Sequence, residues 1–101
     1  MIDQELGGNI VLSNFDLDNQ EMIIIKKIVG NYAEKIRRLR QYKELKIEMR
    51  THLKAKNKNF EINARLEYDG GQAIAEAQGL NPFVLTTEIL KKILNEVEHK
   101  H

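Results

Sequence analysis

A two-layer α/β sandwich, with two helices over one face of a four-stranded mixed sheet in βαβββα order, is the fold this 101-residue sequence predicts. Three observations predict it. Apolar residues recur at helical spacing twice, over residues 22–39 and 83–97. Between these stretches the spacing drops to two, with apolar and charged residues alternating as they do in a strand that faces core on one side and water on the other. Turn-forming residues punctuate the changes, so that each element has a start and a stop written beside it.

The first strand is placed at residues 9–15, where Ile10, Val11 and Leu12 favour extended backbone and Gly7 and Gly8 give a flexible entry. Asp18 is then a helix cap with Glu21 three residues later as in a capping box, and Leu17 can staple to Met22. Met22, Ile25, Val29, Tyr32, Ile36 and Leu39 carry the first helix to about Arg40. Leu45, Ile47, Met49, Thr51 and Leu53 alternate with Lys46, Glu48, Arg50, His52 and Lys54 to give the second strand. Phe60, Ile62, Ala64, Leu66 and Tyr68 give the third. Residues 56–59 read as the hairpin tip between them, and Asp69, Gly70 and Gly71 as the next reversal. In the last strand Ala73, Ala75 and Ala77 share one face, small enough to let a helix approach the sheet. Gly79 closes it. Asn81 then caps the second helix, Pro82 falls at its first position, and Phe83, Leu85, Ile89, Leu90, Ile93, Leu94 and Val97 form its apolar stripe.

A right-handed crossover through the first helix lays the first strand parallel to the second, and two hairpins complete the sheet as a meander. Every strand is apolar on one side only, so both helices cover the same face. The length suits one domain spanning 1–101, with residues 1–8 and 99–101 expected as flexible ends. The absence of cysteine excludes a disulfide framework, thiolate metal sites and a thiol nucleophile. The longest apolar run, residues 22–25, is too short to span a bilayer, and the first residues lack the basic region of a secretory signal. A soluble, cytoplasmic protein that does not engage membranes is the expectation.

Catalytic chemistry has little foothold. The pairs Asp16/Asp18 and Glu96/Glu98 are spaced by two, which separates them on a helix, and no histidine joins either in a recognisable motif. Gly70 and Gly71 lie in a strand-to-strand turn and not before a helix, so they form no phosphate loop. No catalytic residue, metal site or cofactor is expected.

Charge is more informative. Thirteen of the sixteen Lys and Arg residues fall between Lys26 and Arg65, against only Glu34, Glu44, Glu48 and Glu61. A near-neutral total of +1 thus conceals a segment of +9 beside a remainder of −8, a division able to focus a field toward a polyanion such as RNA. The candidate nucleic-acid-binding residues form three groups. Lys35, Arg37, Arg38, Arg40 and Lys43 surround the end of the first helix, Lys54, Lys56 and Lys58 lie about the hairpin tip, and Lys91 and Lys92 are on the second helix. Arginines grip phosphate through parallel hydrogen bonds, and a basic last turn also suits the helix dipole. On the open sheet face Lys46, Glu48, Arg50, Glu61, Arg65 and Glu67 are placed to pair across strands.

In size and in βαβββα order, over nearly the whole length, the sequence resembles the ribosome hibernation promoting factors, also called ribosome-associated inhibitors, and the most similar stretch runs from Glu67 to Phe83, EYDGGQAIAEAQGLNPF. The matching features are the glycine turn at Gly70 and Gly71, the alternating Ala73, Ala75 and Ala77, the closing Gly79, and Phe83 one turn into the last helix. The resemblance implies the βαβββα fold, no enzymatic activity, and a seat on ribosomal RNA of the small ribosomal subunit, where the domain would block a channel and silence translation. A different class is also open. The last strand is an edge whose outward residues are Gln72, Ile74, Glu76 and Gln78, and such an edge can pair with a second copy to give a homodimer.

Overall fold

The structure is a computed structural model that describes residues 4–54 and 56–99, without the side chains of residues 4–6 and 54. Its elements in chain order are β1 (Gln4–Leu6), β2 (Ile10–Ser13), α1 (Asn19–Leu39), β3 (Tyr42–Lys54), β4 (Asn57–Tyr68), β5 (Gly71–Gly79) and α2 (Pro82–His99). The sheet order is β1-β2-β3-β4-β5, with β2 parallel to β3 and every other pair antiparallel. The two-layer sandwich with both helices on one face is therefore the fold.

Three local features differ from the sequence reading. Gln4–Leu6 adds a short fifth strand on the outside of β2, where residues 4–8 were expected to be a flexible end. Its turn needs left-handed backbone, which Gly8 and Asn9 supply at φ 73° and 63°. Residues 1–3, 100 and 101 lie outside the described residues. The second difference is at the start of β3. A bulge at Lys43 separates the pairs Tyr42↔Tyr68 and Glu44↔Glu67, so Tyr42 and Leu45 face the core although they are three apart. That break in parity hid the first residues of the strand. Third, the register runs on to Lys54↔Asn57. The tip is tighter than residues 56–59, and the hairpin longer.

Both helices begin where the sequence writes their caps. The Asp18 side chain accepts from the Glu21 backbone N–H at 2.8 Å, and the Glu21 side chain accepts from the Asp18 N–H at 3.1 Å. Asn81 Oδ1 accepts from the backbone N–H groups of Phe83 and Val84 at 2.9 and 3.2 Å. Each satisfies donors that the first helical turn leaves without partners.

The core lies between the layers. Ile25, Val29 and Ile36 of α1 and Ile89, Leu90 and Ile93 of α2 meet Leu12, Leu45, Ile47, Met49, Ile62 and Leu66 of the sheet, all of them fully or almost fully buried. Ala73 and Ala75 are buried beneath α2, as expected of small residues under a closely packed helix. Gly79 continues that approach, because a Cβ there would stand 3.2 Å from Leu85 Cδ2. Since β2, β3 and β5 all run the same way and each helix follows a strand, α1 and α2 both run back toward the start of β3. The molecule is thus long, 45 Å by 23 Å by 19 Å, with the helix C-termini at one end and the β3–β4 hairpin at the other.

Candidate nucleic-acid interface

Chain direction decides which basic residues can act together. The end of α1 and the β3–β4 hairpin lie at opposite ends of the long axis, so the two main groups of candidates form two separate surfaces.

At the helix end, Arg37, Arg38, Arg40 and Lys43 surround the α1–β3 connection, close to the β1–β2 turn and the β4–β5 turn. Arg37 is built into the fold. Its guanidinium lies against Gly8, beside the Tyr42 hydroxyl, which in turn donates to the Gly8 carbonyl at 2.8 Å. The hydrogen bond to Tyr42 holds the Arg37 pKa above its ordinary value, with Glu34, 3.5 Å away, contributing less. Arg40 caps the helix, its N–H donating to Ile36 O, and its guanidinium stands 4.8 Å from the centroid of the Tyr68 ring. Lys35 leans over Tyr32 at 4.9 Å. Arg38 is exposed and makes no hydrogen bond or ion pair among the described residues. Lys43 projects from the bulge into a cleft of about 440 Å³ shared with Asn9, Gln41, Tyr42 and Asp69.

This end is not purely positive. Glu34, Glu44 and Asp69 are part of it, and the last turns of α2 bring Glu96 and Glu98 to the same end. Arg37 and Arg40 are tied to other elements, whereas Lys35 touches only Tyr32 of its own helix, which leaves Lys35, Arg38 and Lys43 as the helix-end cations with the most freedom to meet a ligand. Sequence reading missed Asn9, Gln41, Tyr42 and Asp69 as lining residues, because a turn, a connection and a bulge carry no periodic signal.

At the hairpin end, Lys56 and Lys58 are exposed and make no hydrogen bond or ion pair among the described residues. The backbone of Lys54 belongs to the same hairpin, and its side chain lies outside the described residues. Residues 49–60 contain Arg50, Lys54, Lys56 and Lys58 and no acid at all.

The lysines of the second helix join neither surface. Lys92 Nζ donates to the Glu76 carbonyl at 3.2 Å, which ties it to the edge of β5. Lys91 lines a groove with Ile28, Phe83, Val84, Thr87 and Glu88.

The open sheet face is unsuited to a polyanion. Its described charges are Lys46, Arg50 and Arg65 against Glu44, Glu48, Glu61, Glu67 and Glu76, so acids outnumber bases. Nor are its charges arranged as opposite partners throughout. The register sets Lys46 directly across from Arg65 and Glu44 across from Glu67, like against like, and only Arg50↔Glu61 joins opposite signs. The ion pairs instead run along each strand, Arg50 to Glu48 at 3.9 Å and Arg65 to Glu67 at 3.5 Å. These are long, exposed contacts that contribute little stability.

No family model matches the sequence, and no curated protein matches it significantly. Solved structures do. The chain is similar to the crystal structure of the Protein Y N-terminal domain from Thermus thermophilus, with a TM-score of 0.56 and 15% identity over 89% of this chain and 93% of that one. It is similar also to a ribosomal subunit interface protein from Coxiella burnetii, with a TM-score of 0.62 and 11% identity over 88% and 92%. The likeness is one of fold. At that level, over nearly the whole chain, the resemblance drawn from the order of elements stands. Among the described residues no helix is long and apolar enough to cross a membrane.

Proposed function

We propose that this chain is a non-enzymatic RNA-binding domain that seats on ribosomal RNA of the small ribosomal subunit in the cytoplasm. There it silences translation by filling the channel that messenger or transfer RNA would enter. The observation that carries this reading is where the accessible cations sit: Lys35, Arg38 and Lys43 toward one end of a 45 Å body and Lys56 and Lys58 at the other, while on the sheet face between them acids outnumber bases. Such a body meets a polyanion end-on, as a wedge between phosphate-lined walls, and is repelled face-on. Recognition by shape and phosphate needs no base-reading pocket. The fold shared with a ribosomal subunit interface protein supports the choice of RNA.

The test is cosedimentation with small subunits. Lys35, Arg38 and Lys43 are reversed together to Glu, which spares the Arg37 and Arg40 contacts and so leaves the fold intact. Loss of cosedimentation at moderate salt is expected. Undiminished cosedimentation at equal salt would remove the helix end from the interface.

A second reading has its own observation. Among the described residues the edge strand β5 pairs only with β4; it contains neither Lys nor Pro, and it exposes Ile74 at 57%. A homodimer through this edge would withstand salt and respond to Ile74→Lys, the opposite of RNA association. Sedimentation velocity of the free protein separates the two.

A further inference from the structure

The β3–β4 hairpin outruns both of its neighbours. β2 pairs with β3 only as far as Glu48, and β5 stops where Gly79 meets Phe60, opposite Thr51. The pairs His52↔Asn59, Leu53↔Lys58 and Lys54↔Asn57 therefore stand clear of the sheet as a two-stranded arm roughly 10 Å long. Its side chains divide by face. Leu53 and Lys58 share the face that continues the core side of the sheet, yet no helix covers them, and Leu53 is 74% exposed, the most exposed large apolar residue described. His52 and Asn59 lie on the opposite face, and Lys56 stands at the turn. Arg50, at the root, is tied only weakly to Glu48.

We infer that this arm is a probe for an A-form RNA helix, lying in the wide, shallow minor groove with Leu53 against the riboses and Arg50, Lys56 and Lys58 on the flanking phosphates. The inference rests on the RNA-binding reading and names the form of RNA that this end accepts. Three features favour a duplex. The arm is a narrow ribbon with cations at its root and tip, which matches a groove bordered by phosphate on both sides. An apolar side chain held out of the core, with Lys58 beside it on the same face, suits a surface of ribose carbons bordered by phosphate. The protruding part carries no Phe, Tyr or Trp, and Phe60 at its root is buried, so the platform on which single-stranded bases stack is missing.

Fluorescence anisotropy with the full chain, using a labelled RNA duplex and one of its strands alone, tests this across a salt series. Wild type should prefer the duplex and weaken steeply with salt. Replacing Arg50, Lys56 and Lys58 with Gln should make the slope of log K against log salt shallower by about 2 to 3. Leu53→Ser should weaken duplex binding about tenfold at every salt concentration, with the slope unchanged. Both substitutions fall on exposed positions and leave folding intact. If wild type binds RNA while either variant behaves like it, or if the single strand is preferred, the arm is not a duplex probe, and the RNA-binding reading survives. An absence of salt-dependent binding by wild type overturns both.

Discussion

Tyr42→Phe removes one oxygen, and the structure fixes what that oxygen does. The Tyr42 hydroxyl donates to the Gly8 carbonyl at 2.8 Å in a part-buried setting and takes a hydrogen bond from Arg37. It therefore joins the start of β3, the end of α1 and the β1–β2 turn. A neutral hydrogen bond contributes about 1 kcal/mol net. Gly8 is exposed, so its carbonyl can take a water in the variant, and the larger penalty of a buried unsatisfied acceptor does not arise. The Arg37 contact is exposed and adds nothing to this figure. A loss of about 1 kcal/mol corresponds to roughly 4–8 °C in Tm for a domain of this size. Chemical and thermal unfolding followed by circular dichroism measures the global effect. Amide exchange at Leu6 and Ile10 measures the local one, with faster exchange expected because β1 pairs with β2 alone among the described residues. Unchanged Tm together with unchanged exchange at these amides would refute the reasoning that Tyr42 anchors the N-terminal hairpin.

Other substitutions test other parts of the account. Asp18→Ala removes the N-cap of α1 and half of its capping box, and should cost about 1 kcal/mol in urea unfolding. Thr51→Val should stabilise the fold by about 1 kcal/mol in the same assay, because Thr51 Oγ1 is buried with no hydrogen-bond partner among the described residues. Leu90→Ala, at a fully buried position of α2, should cost about 2–5 kcal/mol. Lys92→Ala frees the Glu76 carbonyl at the sheet edge, and sedimentation velocity should show whether β5 then pairs with a second copy.

Where the chain repeats a simple period, the sequence was a sufficient guide. The alternation from Leu45 to Met49 and from Phe60 to Tyr68 reproduces the buried and exposed faces of β3 and β4, and the Asp18 and Asn81 caps open the helices as written, whereas Leu53, expected on the core face, is exposed because the hairpin runs past the helices. Legibility failed where backbone geometry, not pattern, decides. A bulge at Lys43 inverts parity, so Tyr42 escaped notice as a core residue and as an anchor. The short β1 has no amphipathic signal in three residues, and its turn depends on the left-handed backbone at Gly8 and Asn9. Register also lay beyond reading. Nothing in the alternation alone reveals that Lys46 faces Arg65, since a slip of two residues would have preserved every buried face. For the candidate interface, the sequence picked out the cations but not their grouping. Chain direction sends the helix-end and hairpin groups 45 Å apart at most, and Lys92 turns out to be occupied with the edge of the sheet.

The central claim is that cations at the ends of the molecule bind RNA through phosphate. Its most direct test is cosedimentation of the wild-type chain with purified small ribosomal subunits over a salt series. The account predicts stoichiometric association at low salt that falls linearly on a logarithmic plot as salt rises, with a shallower slope for the Lys35, Arg38 and Lys43 reversal. No association at low salt, or association indifferent to salt, would contradict it.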